Sequence, residues 1–213
     1  LPTLDTNIVK FKRTKRQPLE GDLFVCDLAH RVQVFGRVVE ITDQGPMHTT
    51  LCLIYLYRGP IPKGPDDGGQ HSPSLLAAPL FVTPKCFTDG YFSVIGNESP
   101  SRGERSRRHV FIDAYRDNNT GVLSYKFVDL GGGVVAKVTP RDLLTMGDWA
   151  CTPLMLVAGA LCEHLGIALK DDEHSAPLWP IDTLPEIQQL HDRLVTENGS
   201  GRLFDEIRTS RYS

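Results

Sequence analysis

Glu20-Gly21-Asp22-Leu23-Phe24-Val25-Cys26-Asp27-Leu28, and after a short break Val32-Gln33-Val34-Phe35-Gly36-Arg37-Val38-Val39-Glu40-Ile41, is the stretch that decides the fold. Gly21-Asp22 opens an apolar run over residues 23–28, and branched residues on both parities fill the run around Gly36. Runs of this composition read as β-strands. Glycine inside the second run predicts a bulge or sharp bend, as in small curled sheets. Asp43-Gln44-Gly45-Pro46 is a turn signal, and the almost continuous apolar run over 49–57 predicts a buried strand.

Outward from this centre, strand signals recur at 80–83, 91–95, 110–115, 122–130 and 134–138. Asp117-Asn118-Asn119-Thr120-Gly121 and Gly131-Gly132-Gly133 read as hairpin turns between them. Two polar insertions interrupt the series. Residues 58–79 hold five prolines and four glycines, and residues 96–108 include Arg102, Arg105, Arg107 and Arg108. The character then changes. Thr152-Pro153 supplies an N-cap and a first-turn proline, residues 154–165 form a helix, and Gly166 closes it. Thr183-x-x-Glu186 is a capping box opening a second helix to about residue 197, with Leu184, Ile187, Leu190 and Leu194 on one face. The fold expected is α+β: a strongly bent, mainly antiparallel sheet followed by two or three C-terminal helices. Residues 1–20 make a basic N-terminal segment, 21–170 a β-rich domain, and 171–213 an acidic helical region packed on it.

A chain of 213 residues, 40% hydrophobic and 23% charged, has the composition of a globular protein with a sizeable core. A net charge of −3 speaks against a general electrostatic nucleic-acid binder. The charge is unevenly placed. Lys10, Lys12, Arg13, Lys15 and Arg16 crowd the start against Asp5 and Glu20, while residues 171–213 carry nine acids against four arginines, 4 − 9 = −5. Five cysteines without CxxC spacing read as reduced thiols. The apolar run at 154–161 is far short of the ~20 residues of a membrane span. With no basic-then-apolar leader at its start, the chain is expected to be cytoplasmic.

Hydrolase elbow, P-loop and HExxH motifs do not occur. The triple glycine precedes a strand and not a helix, so it lacks the helix N-terminus of a phosphate cradle. Cys26 with His30 would make a nucleophile and base or two metal ligands, but no second pair has zinc spacing. Cys162 and His164, two apart on a helix, point to different faces. Both cysteines read better as small core residues. His48, His71, His109, His174 and His191 are scattered. The arginines of 102–108 would grip phosphates or an acidic partner, or stand as a solvated loop tip. Asp171-Asp172-Glu173 reads as a connector between helices and as the best surface for a basic target. Trp149 and Trp179 flank it as core residues or interface anchors.

Lys12-Arg13-x-Lys15-x4-Glu20-Gly21-Asp22-Leu23-Phe24, followed by Phe35-Gly36-Arg37-Val38, resembles the opening of the immunity protein 26 family, bacterial antidotes encoded beside polymorphic toxins. Pro79-Leu80-Phe81-Val82 and Asp89-Gly90-Tyr91-Phe92 are similar to its middle segment, and Met146-Gly147-Asp148-Trp149 with Leu165-Gly166 to its close. Cys86-Phe87 stands where a tryptophan is expected. The resemblance, over residues 12–167, implies a protein that neutralises a cognate toxin by occlusion, without catalysis, metal or cofactor. Its partner would be that toxin, by analogy a basic nuclease drawn to an acidic surface, with no membrane and no direct nucleic-acid contact. The contact residues expected are Asp171, Asp172, Glu173, Trp149, Trp179, Arg37 and Tyr91. The alternatives are a small hydrolase using Cys26 or Cys86, and a nucleic-acid-associated β module using the basic N-terminus and Arg102 to Arg108.

Overall fold

In the computed structural model the chain runs through β1 (Ile8–Val9), β2 (Asp22–Leu28), a 3-10 turn (Ala29–Arg31), β3 (Val32–Thr42) and β4 (Leu51–Tyr57). It continues through β5 (Leu80–Val82), helix α1 (Lys85–Thr88), β6 (Ser93–Asn97), β7 (Val110–Arg116), β8 (Leu123–Asp129), β9 (Gly147–Asp148) and helix α2 (Leu154–Leu165). The structure describes residues 5–47, 49–59, 75–77, 79–99, 109–116, 123–135, 147–148 and 150–173. The helix expected at 183–197 and the turn expected at 117–121 lie outside them, as do 136–138 of the strand expected at 134–138.

β2 and β3 pair antiparallel, from Leu23 opposite Arg37 to Leu28 opposite Val32. β3 pairs with β4, and β4 with β5, in the same sense. The far edge of β2 is shared: β6 lies along Asp22 to Val25, and β1 along Asp27 and Leu28. The result is a strongly curled antiparallel sheet, half of a barrel, with a helix packed on it.

The bend in β3 does not fall at Gly36. The register slips between Val38 and Glu40, so Val39 is the extra residue of the bulge. Gly36 instead makes room for a neighbour. A Cβ there would collide with the Phe24 ring and sit 2.6 Å from the Tyr55 carbonyl oxygen. Gly36 is the register partner of Phe24, and its missing side chain is the slot into which that ring lies.

Every residue of β4 is buried, and the side-chain period of two divides them between two cores. Cys52, Ile54 and Leu56 join Phe24, Cys26, Val38, Phe87 and Phe92, with Val157, Ala158, Ala160 and Leu161 of α2 in the same cluster. On the opposite face Leu51 and Leu53 meet Phe81, Phe111 and Val128, while Tyr55 and Tyr57 meet Val39 and Leu75. The insertion expected over 58–79 therefore ends earlier: Leu75 bridges Tyr57, and Leu75, Leu76 and Ala77 are buried.

β7 pairs with β8 antiparallel and with β9 in parallel to form a smaller sheet. Phe81 and Cys151 form a β-bridge, and the Thr152 N–H donates to the Phe81 carbonyl at 2.7 Å, which ties α2 to β5. The helix begins as expected at Leu154, although Pro153 and not Thr152 occupies the N-cap, and no side chain caps it. Gly166, at φ 67°, ends it with the left-handed cap its position foretold. Helix α1 was not foreseen, and it delays β6. The Tyr91 and Phe92 N–H groups both donate to the Cys86 carbonyl, so pairing starts at Ser93. No helix among the described residues is long and apolar enough to cross a membrane.

Candidate partner-binding surface

The basic N-terminal run is a strap. Apart from the two residues of β1, residues 5–19 have no regular structure of their own. They are nevertheless pinned along their length. The Ala29 N–H donates to the Asn7 carbonyl at 2.7 Å, the Phe11 N–H to the Gly90 carbonyl at 2.7 Å, and the Thr14 N–H to the Thr88 carbonyl at 3.0 Å. Gly90 lies at φ +83°, and a Cβ on it would meet the Phe11 carbonyl carbon at 3.0 Å, so glycine permits both the turn and the close passage of the strap. At its end Arg16 grips Asp22 with both terminal nitrogens, at 2.6 and 2.7 Å.

Asp22 has no exposed side-chain surface. Burial alone would push its carboxyl up. Hydrogen bonds from Arg16, Asn97 Nδ2 and the Leu19 N–H, with the Arg16 charge, outweigh that and hold it below the ordinary carboxylate range. The Glu-Gly-Asp motif therefore joins the strap to β2 and β6.

The acidic triplet divides. Asp171 is exposed, and Asp172 accepts from the Asp5 N–H at 2.6 Å. Glu173, expected at an open surface, is buried at 5% exposure. Its carboxylate accepts from Asn7 Nδ2 at 2.7 Å, from the Lys170 N–H at 2.9 Å and from the Asn7 N–H. Asn7 also donates to the Ala168 carbonyl at 2.9 Å. Glu173 is thus the bolt that holds the front of the strap to the segment after α2. Nothing in the sequence separates it from its two neighbours, because its partner lies 166 residues away.

Arg37, also expected at a contact surface, is buried at 3% exposure. It lies beside residues 98–99, donating to the Ser99 carbonyl at 3.3 Å with Glu98 3.9 Å away. Tyr91 is half-buried. Lys10 lies 4.4 Å over its ring and reaches its hydroxyl at 3.3 Å. Trp149, Trp179 and the arginines at 102–108 lie outside the described residues.

The thiols are placed as core. Cys26, Cys52, Cys86 and Cys162 are buried and Cys151 half-buried, all free. Burial pushes Cys52 and Cys86 up to about 12 and Cys162 up to about 11, and raises Cys26 and Cys151 as well. A nucleophilic thiol requires the opposite shift. The His30 side chain lies outside the described residues. His109 is buried, its Nε2 2.6 Å from the Tyr55 hydroxyl. The triple-glycine turn is filled from within: the Gly131 and Gly133 N–H groups donate to Asp129 Oδ1 at 3.0 and 2.8 Å. Among the described residues no group of three or more His, Cys, Asp or Glu side chains is arranged to hold a metal ion.

Among the described residues, a basic ridge stands outward. Lys10, Lys12, Arg13 and Lys15 are all exposed on the pinned strap, and Lys85 is exposed on the adjacent helix α1. Compared with known proteins, the chain matches no family model, no curated protein sequence and no solved structure.

Proposed function

We propose that this protein is an immunity protein, which binds a cognate bacterial toxin and neutralises it by occlusion without chemistry of its own. One observation carries the reading. Three of the short segments that resemble the immunity protein 26 family are far apart in sequence yet meet around a single ring. Phe24 of the first motif lies in the slot of Gly36 from the second, stacked at 4.8 Å on Phe92 of the third, while Phe87, at the place where the family's tryptophan is expected, lies edge-on to it at 5.2 Å. Segments that pack on one another form a scaffold, which is what shared short motifs without shared chemistry require. The raised thiols weigh against the cysteine-hydrolase alternative.

The same reading takes the fold as α+β, with further helices after residue 173. It places the protein in the cytoplasm, where five unpaired cysteines stay reduced. The test is capture of the bound protein from the native cell, followed by its expression in a host with and without this chain. Growth arrest relieved by a stable 1:1 complex is the outcome expected. A captured protein that is harmless, or whose toxicity persists despite complex formation, refutes the proposal.

A further inference from the structure

We infer that the strap ridge is the contact surface, and that it takes a protein partner through an acidic face bearing apolar or aromatic side chains. The inference rests on the proposed function only for the partner's identity as a toxin. Three features of the ridge point the same way. Its cations are segregated on a chain whose net charge is −3, so the local field differs in sign from that of the molecule as a whole. Arg13 is 73% exposed, and its nearest acid, Asp89, stands at 3.7 Å, a loose surface pairing that a partner's carboxylate can replace. Lys12 and Lys15 are exposed beside it.

The second feature is rigidity. The strap is anchored by backbone hydrogen bonds at Phe11 and Thr14 and by Arg16 on Asp22, so its side chains already project from an ordered backbone. A flexible basic tail would lose that ordering entropy on binding, whereas this one has lost it on folding. The third feature is that the ridge is not purely ionic. Val9 is 48% exposed next to Lys10, and the Tyr91 ring lies under the Lys10 amine. An apolar and aromatic element amid cations suits a protein surface, where aromatic anchors supply affinity and charges supply capture rate. A nucleic-acid strand would be served by phosphate-spaced cations along the whole path, but here the path ends at Arg16, whose guanidinium is committed to Asp22.

The experiment measures fluorescence anisotropy of a short labelled Glu/Tyr peptide titrated with the full chain. A Lys/Tyr peptide and an oligouridylate serve as comparison probes. Two variants carry the same change of net charge, Lys12→Gln with Lys15→Gln on the ridge, and Met47→Glu with Val134→Glu at exposed positions outside it. Near-UV circular dichroism verifies that both are folded. The Glu/Tyr peptide should bind, weaken by about tenfold or more in the ridge variant, and be unaffected by the other one. Oligouridylate binding as tight as that of the Glu/Tyr peptide overturns the inference in favour of a nucleic-acid surface. Equal losses in both variants, or no peptide binding, overturn it outright. The growth assay reports separately: a chain that binds the Glu/Tyr peptide at the ridge but protects no cell sinks the immunity proposal and leaves the ridge standing.

Discussion

At Gly36 the missing side chain is filled by a neighbour's ring, and the consequence is measurable. Gly36→Ala sets a methyl group against Phe24 and 2.6 Å from the Tyr55 carbonyl oxygen, in a part of the sheet where both residues are fully buried. Backbone cannot retreat from the second contact, so the Phe24 ring must leave its stack with Phe92. A loss of about 1–3 kcal/mol is expected, read as a lowered urea midpoint at unchanged m-value. A loss below about 0.5 kcal/mol would mean that the ring has an alternative site and that the slot is incidental. Gly36 also marks the limit of what its sequence position reveals. Glycine in a strand has two causes, a bulge or a close approach, and the bend was expected here. What decides between them is the residue across the pair, and that depends on a register no single run discloses. The bulge itself sits at Val39, a residue with no turn-like signature, because its side chain is drawn to the Tyr55, Tyr57 and Leu75 cluster.

Among elements, the strap was the least legible. Its basic composition was plain, but its middle is attached by backbone hydrogen bonds at Phe11 and Thr14, which leave no side-chain pattern to read. Strands were legible where apolar runs were long, as in β4, and helix α2 where proline and glycine bracketed it. Helix α1 has similar brackets in Pro84 and Gly90, but its four residues are too few to show a helical period. The strap's last anchor yields a prediction with a definite sign. Asp22 has its folded-state pKa held below the unfolded value of ~3.9. Its contribution to stability is therefore fully present above that value and is lost as pH falls through the lower, folded one. Asp22→Asn should cost about 1–3 kcal/mol near neutrality, because the amide keeps one acceptor oxygen where Asn97 and the Leu19 N–H use two, and the charge on Arg16 loses its match. Arg16 is 42% exposed, so solvent screening keeps the loss at the lower end of what a fully buried pair would show. Thermal melts from about pH 7 to pH 3 should show the wild type and the variant converging in acid. Parallel curves would mean that the Arg16–Asp22 contact is neutral to stability.

For the molecule as a whole, the question is whether the smaller sheet is a passenger or a partner. Two-sided burial of β4 was legible in its unbroken apolar run, but the layer that covers its second face was not, since that layer comes from residues some sixty positions further along the chain. The contact is concentrated. Phe111 is fully buried with its ring centroid 4.8 Å from that of Phe81, and Leu51, Leu53 and Val128 complete the cluster. Leu51 and Leu53 are neighbours in sequence of Cys52 and Ile54, which face the main core. A disturbance on one face of β4 is therefore felt on the other. Phe111→Ala removes the central ring and should cost about 3–5 kcal/mol. Because β4 belongs to both cores, that loss should appear as one cooperative transition moved to lower urea, with far-UV and near-UV circular dichroism midpoints coincident. If instead the near-UV signal fell first and the far-UV signal followed at the wild-type midpoint, the smaller sheet would be a separately folding unit. Phe81 would then be its docking point and not its foundation.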